Sequence, residues 1–367
     1  MSLLTGTLRY LRAPLARNVE PGARVLVVTD TAHDPRVWQA VMTILADLGT
    51  DATLAMFEPR PADYYDPPAA VADAMQRSDV NVLLATTGML HCPANFQAMG
   101  AGIAAICMDG GMTLEMFQSG AVTEDVRAMA VMKHYVARDV FGVGARECRV
   151  TSRHGTDFTY RVDGRIFVPP LPGPDFDSYR VVDFARDEGR TGGGLYFYLF
   201  PTGELNVPPV EGSANGRLVI DLTMHQLGRL RSPIALEVRD GRITSIEGGA
   251  DARRLRDYLE TYGDENAYMC PAEASVGVNR RALVRGVQRE DKNIFGSMHF
   301  GLGTNVDVGG SIRSSIHMDG VILEPTLFVD GELRIEGGRF TVPIEPEHDD
   351  EQPVPVAAGH DGRVRSA

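Results

Sequence analysis

Short apolar runs alternate with amphipathic helical patterns through the first part of the chain. Val-, Ala- and Leu-rich runs bounded by turn residues predict buried strands at 24–30, 52–57, 80–87 and 104–110. Apolar residues at helical spacing predict helices between and after these strands, at 34–49, 67–78, 96–99 and 123–142. This alternation predicts an α/β domain with a doubly wound, mostly parallel sheet over residues 1–146.

The pattern changes at about residue 147. Polar and apolar residues now alternate one by one, and turn signals such as "HGTD" and "VDGR" separate the runs. One strong helical pattern, at 250–263, interrupts these strands. We therefore expect an α+β, mainly antiparallel β, domain over 147–345. Residues 346–367 are acidic, Pro-rich and poor in core-forming residues, so we expect a flexible tail.

Charge and composition narrow the classes of function. The 367 residues contain 36 Lys and Arg against 49 Asp and Glu, a net charge of −13, and no basic run. Such a surface repels nucleic acid and anionic lipid, so we expect neither as a partner. No apolar run reaches the roughly 18 residues that a membrane span requires. With no secretory signal pattern at the start and four scattered cysteines without a CxxC pair, a cytoplasmic protein with free thiols is expected.

No GxGxxG motif follows the first predicted strand, which disfavours a nicotinamide-binding site. That position holds "TDTAHDP" instead, and we interpret His33 within it as a surface turn residue.

Candidate metal ligands lie near the C-terminal end, in the segment "SMHFGLGTNVDVGGSIRSSIHMDG". His317 and Asp319 are two residues apart on a predicted strand, so their side chains project to the same face. His299 lies upstream beside Gly301, where a missing side chain permits close approach of the backbone. Together with Glu273 these residues suggest a metal site. From spacing alone, a hydrogen-bonded surface pair remains the alternative for His317 and Asp319.

His91 is the second candidate for chemistry. It follows the third predicted strand at its C-terminal end, where the loops of open α/β sheets gather ligands. An imidazole titrates near neutral pH and can transfer protons there. The alternative is a histidine that caps the next helix.

An ordered set of motifs makes the second half resemble a known family. The set is "RVTSRHGTDFTYRVDGR", "FPTGELNVPP", "PAEASVGVN", "EDKNIFGSMHFGLGTN" and "SSIHMDG", which together cover roughly 147–335. These residues resemble the M29 thermophilic aminopeptidase fold family. In character the chain is most similar to the ring-cleaving 2,5-dihydroxypyridine dioxygenases built on the same scaffold. The first half fits this family at the level of the fold.

The resemblance to the dioxygenases implies a mononuclear non-haem Fe(II) enzyme. Its substrates would be O2 and a dihydroxylated aromatic or heteroaromatic ring, and the protein would be a homo-oligomer. Glu273, His317 and Asp319 would bind the metal, or His299 would replace Glu273. Leu90 would gate the substrate pocket and His91 would act as the acid/base. Oxygen and nitrogen ligands suit other divalent metals as well.

Two alternatives stay open. A metal-dependent, aminopeptidase-like hydrolase with one or two divalent ions is the first, because the resemblance gives Glu204 and Glu273 as ligands of a metal pair. Against it, the peptidases carry a Tyr shortly after the position of His299, where this chain has Val306 and Asp307. Against the dioxygenase, the resemblance implies a His at the position of Glu273. A non-enzymatic scaffold with a decayed site ranks last, because every candidate ligand is present.

Overall fold

The structure is a computed structural model. It describes residues 8–169, 171–172, 182–183 and 196–345. The acidic tail predicted at 346–367 lies outside the described residues.

The first half forms the parallel α/β sheet that the sequence predicts. Its strands run in the order β2-β1-β3-β4-β8-β7, and all neighbouring pairs are parallel except β7 with β8. The strands are β1 (Arg24–Asp30), β2 (Asp51–Phe57), β3 (Val80–Leu83), β4 (Ala104–Cys107), β7 (Val182–Asp183) and β8 (Tyr196–Leu199). The α-helices are α1 (Arg12–Ala16), α2 (Pro35–Asp47), α3 (Ala69–Met75), α4 (Pro93–Gly100) and α5 (Val126–Tyr135), which a π-helical turn (Val136–Phe141) extends. Short 3-10 turns lie at Arg9–Leu11, Gly120–Thr123 and Glu265–Tyr268.

Strand β3 ends four residues earlier than its apolar run. The buried Asp30 side chain accepts hydrogen bonds from the backbone N–H (2.6 Å) and the hydroxyl (2.7 Å) of Thr86. These bonds draw the chain away from the strand ladder toward the end of β1. The residues that follow, up to His91, therefore form a loop at the carboxyl edge of the sheet.

Strand β8 comes from beyond residue 146, yet it belongs to the first sheet. Phe197 pairs with Ala105 of β4 in parallel register, and its side chain is buried. The sequence grouped this segment with the antiparallel strands of the second half. Its apolar run, "YFYL", is typical of a strand that is covered on both faces of a parallel sheet. The boundary between 1–146 and 147–345 stays a prediction.

The second half contains two antiparallel sheets, as the alternating pattern predicts. One has the order β14-β13-β10-β6-β5-β18-β19-β20 and the other the order β12-β11-β17-β16-β15-β9. Their strands are β5 (Glu147–Thr151), β6 (Asp157–Arg161), β9 (Glu204–Val207), β10 (Asn215–Ile220), β11 (Thr223–Met224), β12 (Gly228–Arg229), β13 (Ile234–Arg239), β14 (Arg242–Gly248), β15 (Ala274–Gly277), β16 (Met298–Gly303), β17 (His317–Ile322), β18 (Thr326–Val329), β19 (Glu332–Glu336) and β20 (Arg339–Phe340). Helices α6 (Ala250–Tyr262) and α7 (Gln288–Asp291) complete this half.

Aromatic side chains join the two antiparallel sheets. The Phe300 ring of β16 lies edge-on to Phe158 and Tyr160 of β6, with ring centroids 5.7 and 5.9 Å apart. All three rings are buried. Edge-to-face pairs of this kind add about 0.5–1.5 kcal/mol each beyond the area they bury. The core between the two antiparallel sheets therefore packs against strand β16.

The interpretation of His33 as a surface residue is wrong. Its side chain is buried, with the ring centroid 6.3 Å from that of Phe117, and burial lowers the pKa of His33. The turn "TDTAHDP" lies at the sheet edge with Thr31, Ala32 and Pro35 exposed, and the His33 side chain is the part of the turn that packs inward. No helix among the described residues is long and apolar enough to cross a membrane.

The buried side-chain amide of Asn279 links the two halves of the chain by hydrogen bonds. Asn279 donates from Nδ2 to the carbonyl oxygens of Ala121 and Thr202, both at 3.0 Å. Its Oδ1 accepts from the backbone N–H groups of Arg281 and Ala282, both at 2.9 Å. The Asn279 side chain is fully buried, so water cannot replace these partners.

We expect Asn279→Ala to lower the free energy of unfolding by about 3 kcal/mol, because it leaves several buried backbone groups without partners. Urea unfolding followed by circular dichroism measures the change. Asn266→Ala is the matched control, since it removes one exposed hydrogen bond, from Nδ2 to the Arg313 carbonyl oxygen, and should cost less than about 1 kcal/mol. Equal losses in the two variants would contradict this role for Asn279.

Candidate metal centre

Four neighbouring strands bring the predicted metal ligands together. His317 and Asp319 lie on β17, His299 lies on β16, and Glu273 directly precedes β15. Glu204 is the first residue of β9, at the edge of the same sheet. Because these strands are adjacent, side chains that are distant in sequence meet on one face.

The first group of ligand atoms comes from Glu273, His317 and Asp319. His317 Nε2 lies 3.1 Å from Asp319 Oδ1 and 3.4 Å from Glu273 Oε2. One ligand atom from each of the three residues lies within 4.8 Å of the other two, and all three side chains are buried. This arrangement is compact enough for one cation to contact all three.

A second group shares Glu273 with the first. His299 Nε2 lies 3.0 Å from Glu273 Oε1 and 3.6 Å from Glu204 Oε2. One ligand atom from each of these three residues likewise lies within 4.8 Å of the other two, and all three side chains are buried. His299 thus groups with Glu204 and Glu273.

Backbone contact fixes the orientation of His317. Its Nδ1 lies 2.8 Å from the carbonyl oxygen of Thr304, which can only accept a hydrogen bond. Nδ1 therefore carries a proton, and Nε2 is the atom that a metal would bind. A carbonyl partner of this kind is the usual support of a metal-binding imidazole.

Neutral side chains hold the carboxylates. Ser275 Oγ lies 2.8 Å from both Glu273 Oε1 and Asn206 Oδ1. The amide of Gln288, at the start of α7, donates from Nε2 to Asp319 Oδ2. These contacts limit rotation of Glu273 and Asp319, so the ligand atoms keep their separation.

The electrostatics keep the carboxylates ionised. Burial by itself would raise the pKa of Glu273, but hydrogen bonds with His299 and His317 hold that pKa well below its usual range. Burial would likewise raise the pKa of Asp319, which the charges of His317 and Lys292 hold well below normal. Conversely, burial would lower the pKa of His317, and the neighbouring Asp319 raises it well above normal. The cluster favours negative carboxylates with positive charge beside them.

These residues fit a divalent cation. Glu204 Oε2 and Asp319 Oδ1 are buried acceptors that receive no hydrogen bond from any residue in the described ranges. Buried lone pairs of this kind are costly unless a proton or a cation satisfies them. Carboxylate oxygen with imidazole nitrogen is the donor set of Fe, Mn, Zn and Co sites.

A buried ammonium group completes the cluster. Lys292, which directly follows α7, places Nζ 3.0 Å from Glu204 Oε1 and 3.5 Å from Asp319 Oδ2. Burial would lower the pKa of Lys292, but the charges of Glu204 and Asp319 raise it above its ordinary value. The ammonium is therefore charged at neutral pH. Nothing in the sequence pattern had singled out this lysine.

His91 forms a buried pair on the wall of the same cavity. Its Nε2 lies 2.8 Å from Asp307 Oδ2, and the two side chains are 6% and 8% exposed. The ring centroids of His91 and His317 are 5.0 Å apart. Burial would raise the pKa of Asp307, but the charge and hydrogen bond of His91 lower it. From the sequence, Asp307 drew attention only because the peptidases have a Tyr in this region and this chain does not.

One cavity collects most of the predicted site residues. Its lining includes Leu90, His91, Glu273, His317 and Asp319, together with Tyr64, Gly88, Gly110, Phe197, Leu199, Glu204, Asn206, His225, Gln288, Arg289, Lys292 and Asp307. His299 is fully buried and is not among these lining residues. The structure thus gathers the candidates from both halves, and their roles stay predictions.

Two further side-chain pairs lie at this cavity. His225 has Nε2 2.7 Å from Asp63 Oδ2. Arg289 donates from a guanidinium nitrogen to Asp109 Oδ1 at 2.8 Å. Each pair joins residues that are more than 150 positions apart, so no local pattern could have revealed it.

The sheets and the site define the class of protein. A parallel α/β sheet, two antiparallel sheets and a buried carboxylate–imidazole cluster together place the chain in the aminopeptidase-like fold class. The chain belongs to the NicX family, described as 2,5-dihydroxypyridine 5,6-dioxygenase, whose match spans residues 10–342.

Individual relatives agree with this placement. The chain is 25% identical over 288 residues, 75% of each protein, to the 2,5-dihydroxypyridine 5,6-dioxygenase of Pseudomonas putida KT2440. A solved structure of 2,5-dihydroxypyridine dioxygenase from that organism superimposes with a TM-score of 0.66 and 21% identity, covering 94% of this chain and 99% of that one. The structure of AmpT from Thermus thermophilus gives 0.60 and 15%, covering 91% and 99%. The resemblance drawn from the sequence motifs is confirmed.

The cluster leaves little room for a side chain at position 301. A Cβ there would lie 3.1 Å from His317 Cε1 and 3.2 Å from the backbone nitrogen of Glu273. We expect Gly301→Ala to shift these ligands and to weaken metal binding about 10- to 100-fold, as changes beside metal ligands commonly do. Equilibrium dialysis of the metal-free protein against Co2+ measures the affinity.

Gly144→Ala is the control, because a Cβ at that position meets no atom within 4 Å. If Gly301→Ala bound Co2+ as tightly as wild type while remaining folded, the cluster would not be the metal site.

Proposed function

We propose that the protein is a mononuclear non-haem Fe(II) dioxygenase that opens a dihydroxylated aromatic or heteroaromatic ring such as 2,5-dihydroxypyridine. Membership of the family supports this reaction. The observation that carries it is the His91–Asp307 pair, which shares a cavity wall with Glu273, His317 and Asp319. A proton acceptor thus lies beside a cluster that fits a metal ion.

Glu273, His317 and Asp319 would hold the metal. When bound, Fe(II) supplies a Lewis acid for the substrate hydroxyl groups and the redox chemistry that O2 requires. Facial triads of non-haem iron oxygenases typically have two imidazoles and one carboxylate. This group has one imidazole and two carboxylates, a departure that makes the site more anionic. Another divalent metal would satisfy the same ligands.

His91 is the proposed acid/base. Because the ionised Asp307 carboxylate can only accept, His91 donates from Nε2–H and keeps the lone pair on Nδ1. Nδ1 is buried and has no hydrogen-bond partner among the described residues. A substrate hydroxyl would fill that vacant position and lose its proton to Nδ1, and His91 would return the proton to the product.

Apolar side chains would exclude water from the cavity and contact the substrate ring. Leu90 is 7% exposed and directly precedes His91, so a ring that reaches His91 also meets Leu90. Phe197 and Leu199 of β8 lie on the same cavity lining. We assign Leu90 to substrate binding, at the position of the expected gate.

The direct test uses protein purified without oxygen, freed of metal and reloaded with Fe(II). Addition of 2,5-dihydroxypyridine and air should give oxygen uptake with matching loss of the ring absorbance. Oxygen consumption without ring loss, or neither signal with several dihydroxylated rings, would refute the proposal.

His91→Gln should lower turnover about 10²- to 10⁴-fold, the usual contribution of a general acid–base group. Metal content should not change, because His91 is not among the proposed ligands. Oxygen-electrode kinetics and elemental analysis measure the two quantities. His154→Gln, which changes a more exposed imidazole outside the cavity lining, should keep full activity. Full activity in His91→Gln would show that another group moves the proton.

Asp307→Asn tests the positioning of His91. An amide at 307 can donate to Nε2, which moves the proton to Nδ1 and removes the lone pair that accepts from the substrate. Turnover should fall by up to about 10⁴-fold, as in other wrong-tautomer variants, with metal content unchanged. Asp307→Glu should restore part of the activity and of the wild-type pH profile. A purely structural role would predict equal losses in both variants.

A metal-dependent, aminopeptidase-like hydrolase is the second candidate. The observation in its favour is the group formed by Glu204, Glu273 and His299, which offers ligands for a second ion. Two ions would polarise a carbonyl group and generate hydroxide. Metal-dependent release of amino acids from peptides, without oxygen uptake, would support this reaction over ring cleavage.

A further inference from the structure

Lysine is almost absent from this chain. Of its 36 Lys and Arg residues, only Lys133 and Lys292 are lysines. Arginine thus serves nearly everywhere that a positive charge is placed. Lys292 is an exception at a buried position beside the metal cluster, where its side chain is 10% exposed.

The ammonium of Lys292 lies between the two ligand groups. Nζ is 3.0 Å from Glu204 Oε1, which belongs to the His299 group. It is 3.5 Å from Asp319 Oδ2, which belongs to the His317 group. An ammonium is a compact point charge with three donors, whereas a guanidinium is a wide planar fork.

The charges of the cluster balance with a single divalent ion. Glu204, Glu273 and Asp319 contribute three negative charges, and Lys292 contributes one positive charge. With both imidazoles neutral, the form in which an imidazole binds a metal, the remaining charge of −2 is neutralised by one divalent cation. A second such ion would have to lie close to the ammonium, which would repel it.

We infer that Lys292 takes the place of a second metal ion and so limits the centre to one divalent cation per chain. This inference rests on the metal centre of the proposed function. Lys292 then sets the number of metal ions that the centre binds. That number decides between one-metal and two-metal chemistry on this fold.

The test counts metal ions. Metal-free wild type, Lys292→Met and Lys133→Met are dialysed to equilibrium against Co2+, and bound cobalt per chain is measured by elemental analysis. We expect one ion in wild type and in Lys133→Met, but two in Lys292→Met, which keeps the length of the side chain without its charge. Lys292→Gln should also take two, so the test does not depend on one variant folding. Lys292→Arg, if accommodated, should take one.

The outcomes separate this inference from the proposed function. No cobalt in wild type would refute the metal centre itself. Two ions in wild type would refute the role of Lys292 whether or not any variant folds. One ion in wild type and one in the folded Lys292→Met and Lys292→Gln variants would leave the metal centre in place and refute the inference.

Discussion

The burial of several carboxylates at one point is the constraint on which the rest of the site depends. Glu204, Glu273 and Asp319 are each less than 10% exposed and lie on, or directly before, strands of the same antiparallel sheet. Removing such charges from water is costly unless opposite charge and hydrogen bonds replace the solvent. Two imidazoles and an ammonium supply part of that compensation, and the buried carboxylate oxygens left without a hydrogen bond, Glu204 Oε2 and Asp319 Oδ1, fit a bound cation.

The antiparallel sheet that contains β15, β16 and β17 positions the side chains that compensate these buried charges. Strand β16 lies between β15 and β17, so Glu273 and His317 approach each other across Gly301, which has no side chain to keep them apart. The neighbouring Phe300 ring of β16 packs against Phe158 in the other antiparallel sheet. The loop that carries His91 lies at the carboxyl edge of the parallel sheet and is next to the cluster. Rigid strands thus hold the proposed ligands, and a loop holds the proposed base.

Features that are local in sequence could be predicted, and those that depend on distant pairing could not. The two-residue period placed His317 and Asp319 on one face, and the end of an apolar run placed His91 at a sheet edge. The partner of His91 is 216 positions away, and the partners of Lys292 lie on two other strands. Strand β8 was misassigned for the same reason, since an apolar run does not specify which sheet will receive it.

Charge also distinguishes this cluster from the one that the resemblance implies. With the imidazoles neutral, a His at position 273 beside Glu204, Asp319 and Lys292 would leave a charge of −1, whereas Glu273 leaves a charge of −2. The carboxylate at 273 therefore increases by one the positive charge that the site must bind, and the ammonium of Lys292 decreases it by one. Changing either residue alone alters that requirement, so the ligand at 273 and the ammonium beside it act on metal binding together.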